Sequence, residues 1–362
     1  MTAMDKTMSG GVSRDVPTRP ALAATPDDSA MLRAAVDLTR DLGKAKPSIY
    51  WPDFLGSAAL GYAGLAVAIT TSQGWLVVLG GLVAAVTLYR AASFIHELTH
   101  IRNGSLRGFR LAWNMLVGIP LLIPSFMYEG VHTQHHAKTR YGTVDDPEYL
   151  PLALMKPWTL PLFIVAALLA PVALIVRFAV LTPLGVLIPA LRREIVARYS
   201  ALTINPAYRR RPPEGELKRR WAWQETGAFF WALALIASVP LFGWRPLLTG
   251  VAIFSAVAVL NQLRTLVAHL WENEGEPMTV TGQYLDSVNV PPPAPLAGLW
   301  APVGLRYHAL HHLLPSMPYH SLGEAHRRLT AHLGAGSTYQ RSNHAGMLPL
   351  VARIARSTMR VG

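Results

Sequence analysis

The chain has 362 residues, 51% of them hydrophobic and only 15% charged, with a formal net charge of +12. Soluble proteins carry about a quarter charged residues, so this balance points to a membrane protein, and loops rich in Lys and Arg on the cytoplasmic side account for the basic excess. Nucleic-acid binding lacks its basic stripe with interleaved aromatics, and the absence of cysteine excludes disulfides, thiolate catalysis and protein-held iron–sulfur clusters.

Residues 1–45 are polar, lack the apolar core of a secretory signal, and are expected to form a disordered cytoplasmic tail. Residues 46–335 are expected to form the membrane domain, and 336–362 a basic C-terminal tail. No charge occurs from Phe54 to Tyr89. A straight helix of that length would run about 54 Å against a hydrocarbon core of about 30 Å, so the break at "TSQG", Thr71 to Gly74, predicts a two-helix hairpin. Thr226–Trp244 and Pro246–Leu263 predict a second hairpin, giving four spanning helices.

Two other apolar stretches are less regular. Leu111–Tyr128 is broken by Gly118, Pro120 and Pro124, and Pro157–Leu191 by Arg177 and several prolines. Histidine clusters lie on both sides of them and share one face only if each stretch crosses twice or not at all. Interfacial or re-entrant helices are therefore expected. The run "LRREIVARYSALTINPAYRRRPPEGELKRR", Leu191 to Arg220, is expected in the cytoplasm, against anionic lipid or an acidic redox partner.

Nine of the 13 histidines fall at the predicted cytoplasmic boundaries. "FIHELTH" holds His96 and His100, "EGVHTQHHAK" holds His132, His135 and His136, and "YHALHH" holds His308, His311 and His312. On a helix each set shares one face. His269, in "TLVAHLWENEG", follows the last span. So many neutral imidazoles exceed the four ligands of one tetrahedral zinc ion and suit two metals, with iron, copper, nickel and zinc all compatible. Carboxylates near them are candidate acceptors for the other ring N–H: Glu97, Glu129, Asp145, Asp146, Glu272 and Glu274, with Asp145 and Asp146 favoured. His320 is expected to shape a turn or the cap. Trp113, Trp158, Trp221, Trp223, Trp231, Trp271 and Trp300 are expected as interfacial anchors. A metal transporter is disfavoured, because the spans hold no ionisable residue before their cytoplasmic ends.

The boxes HxxxH, HxxHH and HxxHH, in this order around two hairpins, resemble the membrane fatty acid desaturase and hydroxylase superfamily. "YGTVDDPEYLPL" and "YHALHHLLPSMPYHSLGEAHRRL" look most like bacterial acyl-lipid desaturases. The resemblance implies an all-α integral membrane fold, four transmembrane helices under a cytoplasmic helical cap, in a bacterial inner membrane with both termini cytoplasmic. It implies two non-haem irons held by His96, His100, His132, His135, His136, His308, His311 and His312, with His269 as the additional ligand. The acyl-CoA branch places a water-binding asparagine four residues before that histidine, where this chain has Thr265. The implied reaction is O2-dependent desaturation of a lipid acyl chain. The alternative is a lipid, sphingoid or carotenoid hydroxylase or ketolase. Electrons are expected from a ferredoxin or cytochrome b5-like donor with its reductase.

Overall fold

The computed structural model describes residues 22–101 and 104–358; all regular elements among them are helical, and β-pairing is confined to isolated bridges. Helix α1 (Ser29–Asp37) precedes the first hairpin, α2 (Pro47–Thr70) and α3 (Gly74–His100). These two pack through small residues. A Cβ on Gly64 would lie 2.6 Å from the Gly80 carbonyl oxygen, and one on Gly80 would lie 2.7 Å from that of Gly64. In lipid, where apolar surface alone drives no association, such close backbone approach is the main source of helix pairing.

The short helix α4 (His132–His135) follows, then α5 (Thr159–Leu168) and α6 (Ala170–Leu187), the latter with a π-helical turn at Arg177–Leu181. The second hairpin is α7 (Gly215–Phe242) and α8 (Trp244–Leu266), joined at Gly243, whose φ of 75° glycine adopts freely. Helices α9 (Val280–Asp286), α10 (His308–Leu313), α11 (Leu322–Leu333) and α12 (Met347–Thr358) complete the chain.

Five helices among the described residues are long and apolar enough to cross a membrane: α2, α3, α6, α7 and α8. That is one more than expected, the addition being α6 in the stretch 157–191. Both ends of this stretch return to one place. The Ile204 N–H donates to the Pro147 carbonyl at 3.1 Å, and the Leu202 N–H to that of Met127 at 2.9 Å. Arg177, buried in the π-helical turn, donates to Tyr199 O, Ser200 Oγ and Glu225 Oε1 at 2.7–2.9 Å. Its charge is thereby neutralised inside an otherwise apolar helix.

The expected N-terminal tail is ordered from Leu22 onward, while residues 1–21 lie outside the described part. Asp28 caps α1, its N–H donates to Thr281 Oγ1 at 2.9 Å, and Asp41 pairs with Arg328 at 2.7 Å. The 336–358 segment is likewise packed, with Tyr339 fully buried and α12 turning Leu350 and Ile354 inward at i, i+4. Three of the predicted tryptophan anchors are core residues instead. Trp113, Trp221 and Trp271 are buried, each donating its indole N–H to an acceptor: Ala91 O, Glu225 Oε2 and Leu266 O respectively. Trp158 is exposed.

Candidate metal centre

All nine histidines singled out in the sequence converge where α3, α4, α10 and the segment after α8 meet. They form two groups: His96, His100, His132, His136 and His311 in one; His135, His269, His308 and His312 in the other. Within each group the donor atoms lie within 4.8 Å of one another. Each HxxHH box is shared between groups, and helix geometry explains how. At about 100° per residue, positions i and i+4 point about 40° apart, while i+3 is turned about 100° from i+4. Thus His132 and His136 face one group and His135 the other, whereas His308 and His312 face the second and His311 the first.

The nitrogen spacing fits metal ligation. His132, His136 and His311 approach through Nε2 at 3.0 and 3.1 Å, and His269, His308 and His312 through Nε2 at 3.0 and 3.2 Å. Two nitrogens about 2.1 Å from one ion sit about 3.0 Å apart at a right angle and about 3.4 Å apart at the tetrahedral angle. His96 has both ring nitrogens, and His100 its Nε2, buried with no hydrogen-bond partner among the described residues. Each such orphan costs about 1–3 kcal/mol, which a shared cation would offset. Desolvation holds His132, His136, His269, His308, His311 and His312 well below the ordinary imidazole pKa, leaving them in the neutral, ligating form.

With Nε2 lone pairs converging, the protons belong on Nδ1, and three of those N–H groups have acceptors. His135 donates to Asp146 Oδ2 at 2.9 Å, and His132 to Glu148 Oε1 at 2.9 Å, with the Tyr128 hydroxyl donating to the other Glu148 oxygen at 2.9 Å. His269 donates to the Tyr141 oxygen at 2.8 Å, and the Tyr141 hydroxyl donates to Asp286 Oδ2 at 2.9 Å. Burial works against ionisation of Asp286, pushing its carboxyl up to about 6. For His135 burial acts downward, but the Asp146 carboxylate outweighs it and the net shift is upward.

Among the carboxylates expected to orient ligands, Asp146 occupies that position and the others do not. Asp145 is exposed beside it. Glu97 accepts from the Tyr50 hydroxyl and the Tyr319 N–H, leaving its nearer oxygen 3.8 Å from His96 Nδ1, because consecutive helix residues diverge. Glu129 is instead paired with Arg110 at 2.6 Å and Arg220 at 3.1 Å. Glu272 pairs with Arg353, and Glu274 is exposed. Glu148 and Asp286 were missed. In "DDPEY" the turn at Pro147 puts Asp146 and Glu148, two apart, on one side, which alternation in an extended segment would have suggested. Asp286 has no local signal, being brought to His269 by the isolated bridge from His269 to Ser287. His320, in the short 3₁₀ helix Tyr319–Ser321, accepts from the Lys46 N–H at 3.2 Å.

A cavity of about 430 Å³ runs between α3, α5, α6 and α8 and reaches the first group at His96 and the paired Tyr128 and Glu148. A second, of about 650 Å³, reaches it at His100 and Glu97, with Thr39, Arg40, Asp41, Gly43, Lys44 and Ala45 in its wall.

A family model described as fatty acid desaturase matches residues 73–343. Over 337 residues the chain is 49% identical to a protein named ceramide hydroxylase from Caulobacter vibrioides (strain NA1000 / CB15N), an alignment that covers 92% of this chain and 96% of that protein.

Proposed function

The chain belongs to the fatty acid desaturase family, and we propose that within it the protein is an O2-dependent di-iron hydroxylase of ceramide or a closely similar N-acyl lipid. The observation that carries this is the likeness to a ceramide hydroxylase over nearly the whole of both chains. It favours the hydroxylation alternative over desaturation, the first expectation from the sequence. One His-box pattern serves both outcomes, so spacing does not separate them.

The five imidazoles of the first group would hold one iron and the four of the second the other, and the bound irons would supply, with O2, the oxidising chemistry that an unactivated C–H bond requires. The protein's own part is positional. Asp146, Glu148 and the Tyr141–Asp286 pair fix the ring planes of His135, His132 and His269 through Nδ1, and raise their basicity as donors. The cavity at His96 takes the lipid from among the spanning helices and keeps bulk water from the reacting carbon. The other opening, at His100, connects the first group with the side bearing α1.

Four helices, α2, α3, α7 and α8, span the membrane in this reading. The stretch through α5 and α6 enters and leaves on the histidine face, which its return contacts to Met127 and Pro147 support. Exposed Arg193, Arg209, Arg211, Lys218 and Arg219 support a cytoplasmic histidine face in the inner membrane, and electrons then come from a soluble or cytochrome-type donor on that side. Mass spectrometry of lipids from a ceramide-producing host, with and without the gene, tests the reaction. The expected result is ceramide carrying one additional oxygen atom; ceramide two hydrogens lighter, or an unchanged profile, would refute it.

A further inference from the structure

The cavity at His96 is lined along one face of α8, and that face changes character along its length. Its deep part is Phe254, Val257 and Ala258; the part nearest the histidines is Asn261, Arg264 and Thr265. These recur at i, i+3 and i+4, so they form one stripe. Phe254 also lines a separate apolar cavity of about 290 Å³ between α2, α7 and α8, bounded by Leu65, Trp231 and Leu235. The space therefore becomes more apolar with distance from the histidines and more polar next to them.

Arg264 is the unusual member. No carboxylate lies within ion-pair distance of it among the described residues, its Nε is buried without a partner, and one terminal nitrogen lies 3.3 Å from His308 Nδ1. A guanidinium only donates, and with His308 Nε2 turned to its group the facing Nδ1 carries a hydrogen, so the approach satisfies neither side. A half-buried guanidinium with its Nε out of water and no carboxylate beside it needs an acceptor, and the cavity that it lines offers the space for one. Asn261, exposed and lining the same cavity one turn away, supplies a side-chain amide as a second donor.

We propose that Arg264, with Asn261, holds the acyl carbonyl oxygen of the lipid substrate. The polar head then lies at the histidine groups, the chain runs away toward Phe254, and the hydroxylated carbon is within a few bonds of that carbonyl. This rests on the reading of the protein as an N-acyl lipid hydroxylase and adds where on the lipid it acts.

The test compares wild type, Arg264→Gln, Arg264→Lys and Asn261→Leu in iron content, KM and position of the new hydroxyl. The substrates are a ceramide, its analogue with the amide carbonyl reduced to methylene, and the free fatty acid. Expected are full iron in every variant and a single hydroxyl position near the carbonyl for wild type. Arg264→Gln should raise KM for ceramide about 10- to 100-fold and scatter the position, Arg264→Lys should recover part of both, and Asn261→Leu should show a smaller rise. The reduced analogue should erase the difference between wild type and Arg264→Gln. Matching behaviour with the free acid would identify a carboxylate rather than an amide as the source of the oxygen. Unchanged KM and position in iron-replete Arg264→Gln would overturn the assignment, as would loss of iron from that variant, which would make Arg264 a support of the metal group. A wild-type protein that hydroxylates no lipid would refute the function itself, separately from the role of Arg264.

Discussion

Asp146 binds three groups at once: the His135 ring N–H, the Gly142 N–H at 2.8 Å and the Glu148 N–H at 2.8 Å. Replacing it by Asn turns one acceptor into a donor and misdirects both the ring and the turn carrying Glu148. Asp146→Asn should weaken retention of the second iron about 10- to 100-fold, read as iron remaining per chain along a chelator titration. Asp145→Asn, exposed next to it, should leave that titration unchanged. Glu129→Gln should cost stability through Arg110 and Arg220 while leaving iron content intact, which separates it from Glu148→Gln, where loss is expected from the first group. The histidines were legible in the sequence because helical spacing marks them in sets. Their division between two groups, the Tyr141–Asp286 relay and the absence of a carboxylate beside Arg264 among the described residues were not, because each depends on contacts between segments far apart in the chain.

At the scale of helices, both hairpins were legible: an uncharged run too long for one span, with a polar interruption, admits little else. The glycines that seat α2 on α3 were visible only as composition. Gly64→Val or Gly80→Val places side-chain atoms where a carbonyl oxygen stands below 3 Å, so the helices must separate. Each should destabilise the protein by about 1–3 kcal/mol or more, measured as a lower melting temperature in detergent, whereas Gly81→Ala, with open space around it, should not. The fold of residues 22–45 was missed for a physical reason. Helix α1 is short and its buried face is only Met31, Ala34 and Ala35, so its order comes from docking on α11 and on the loop before α9 rather than from its own sequence.

For the molecule as a whole, the two histidine groups bring α3, α4, α10 and the segment after α8 together. Ions that bind the native state alone stabilise it by RT ln(1 + [L]/Kd), about 4 kcal/mol at a thousandfold excess over Kd. Chelator-stripped protein should therefore melt on the order of 10 °C lower than iron-loaded protein, with Asp146→Asn intermediate. Hydroxylation at a di-iron site is tested most directly with purified iron-loaded protein given ceramide, a reducing system and isotopically labelled O2. Ceramide that has gained one labelled oxygen atom and no double bond is expected, with product formation lost in His135→Ala. Ceramide that has lost two hydrogens and carries no label, or a hydroxyl whose oxygen comes from water, would contradict it.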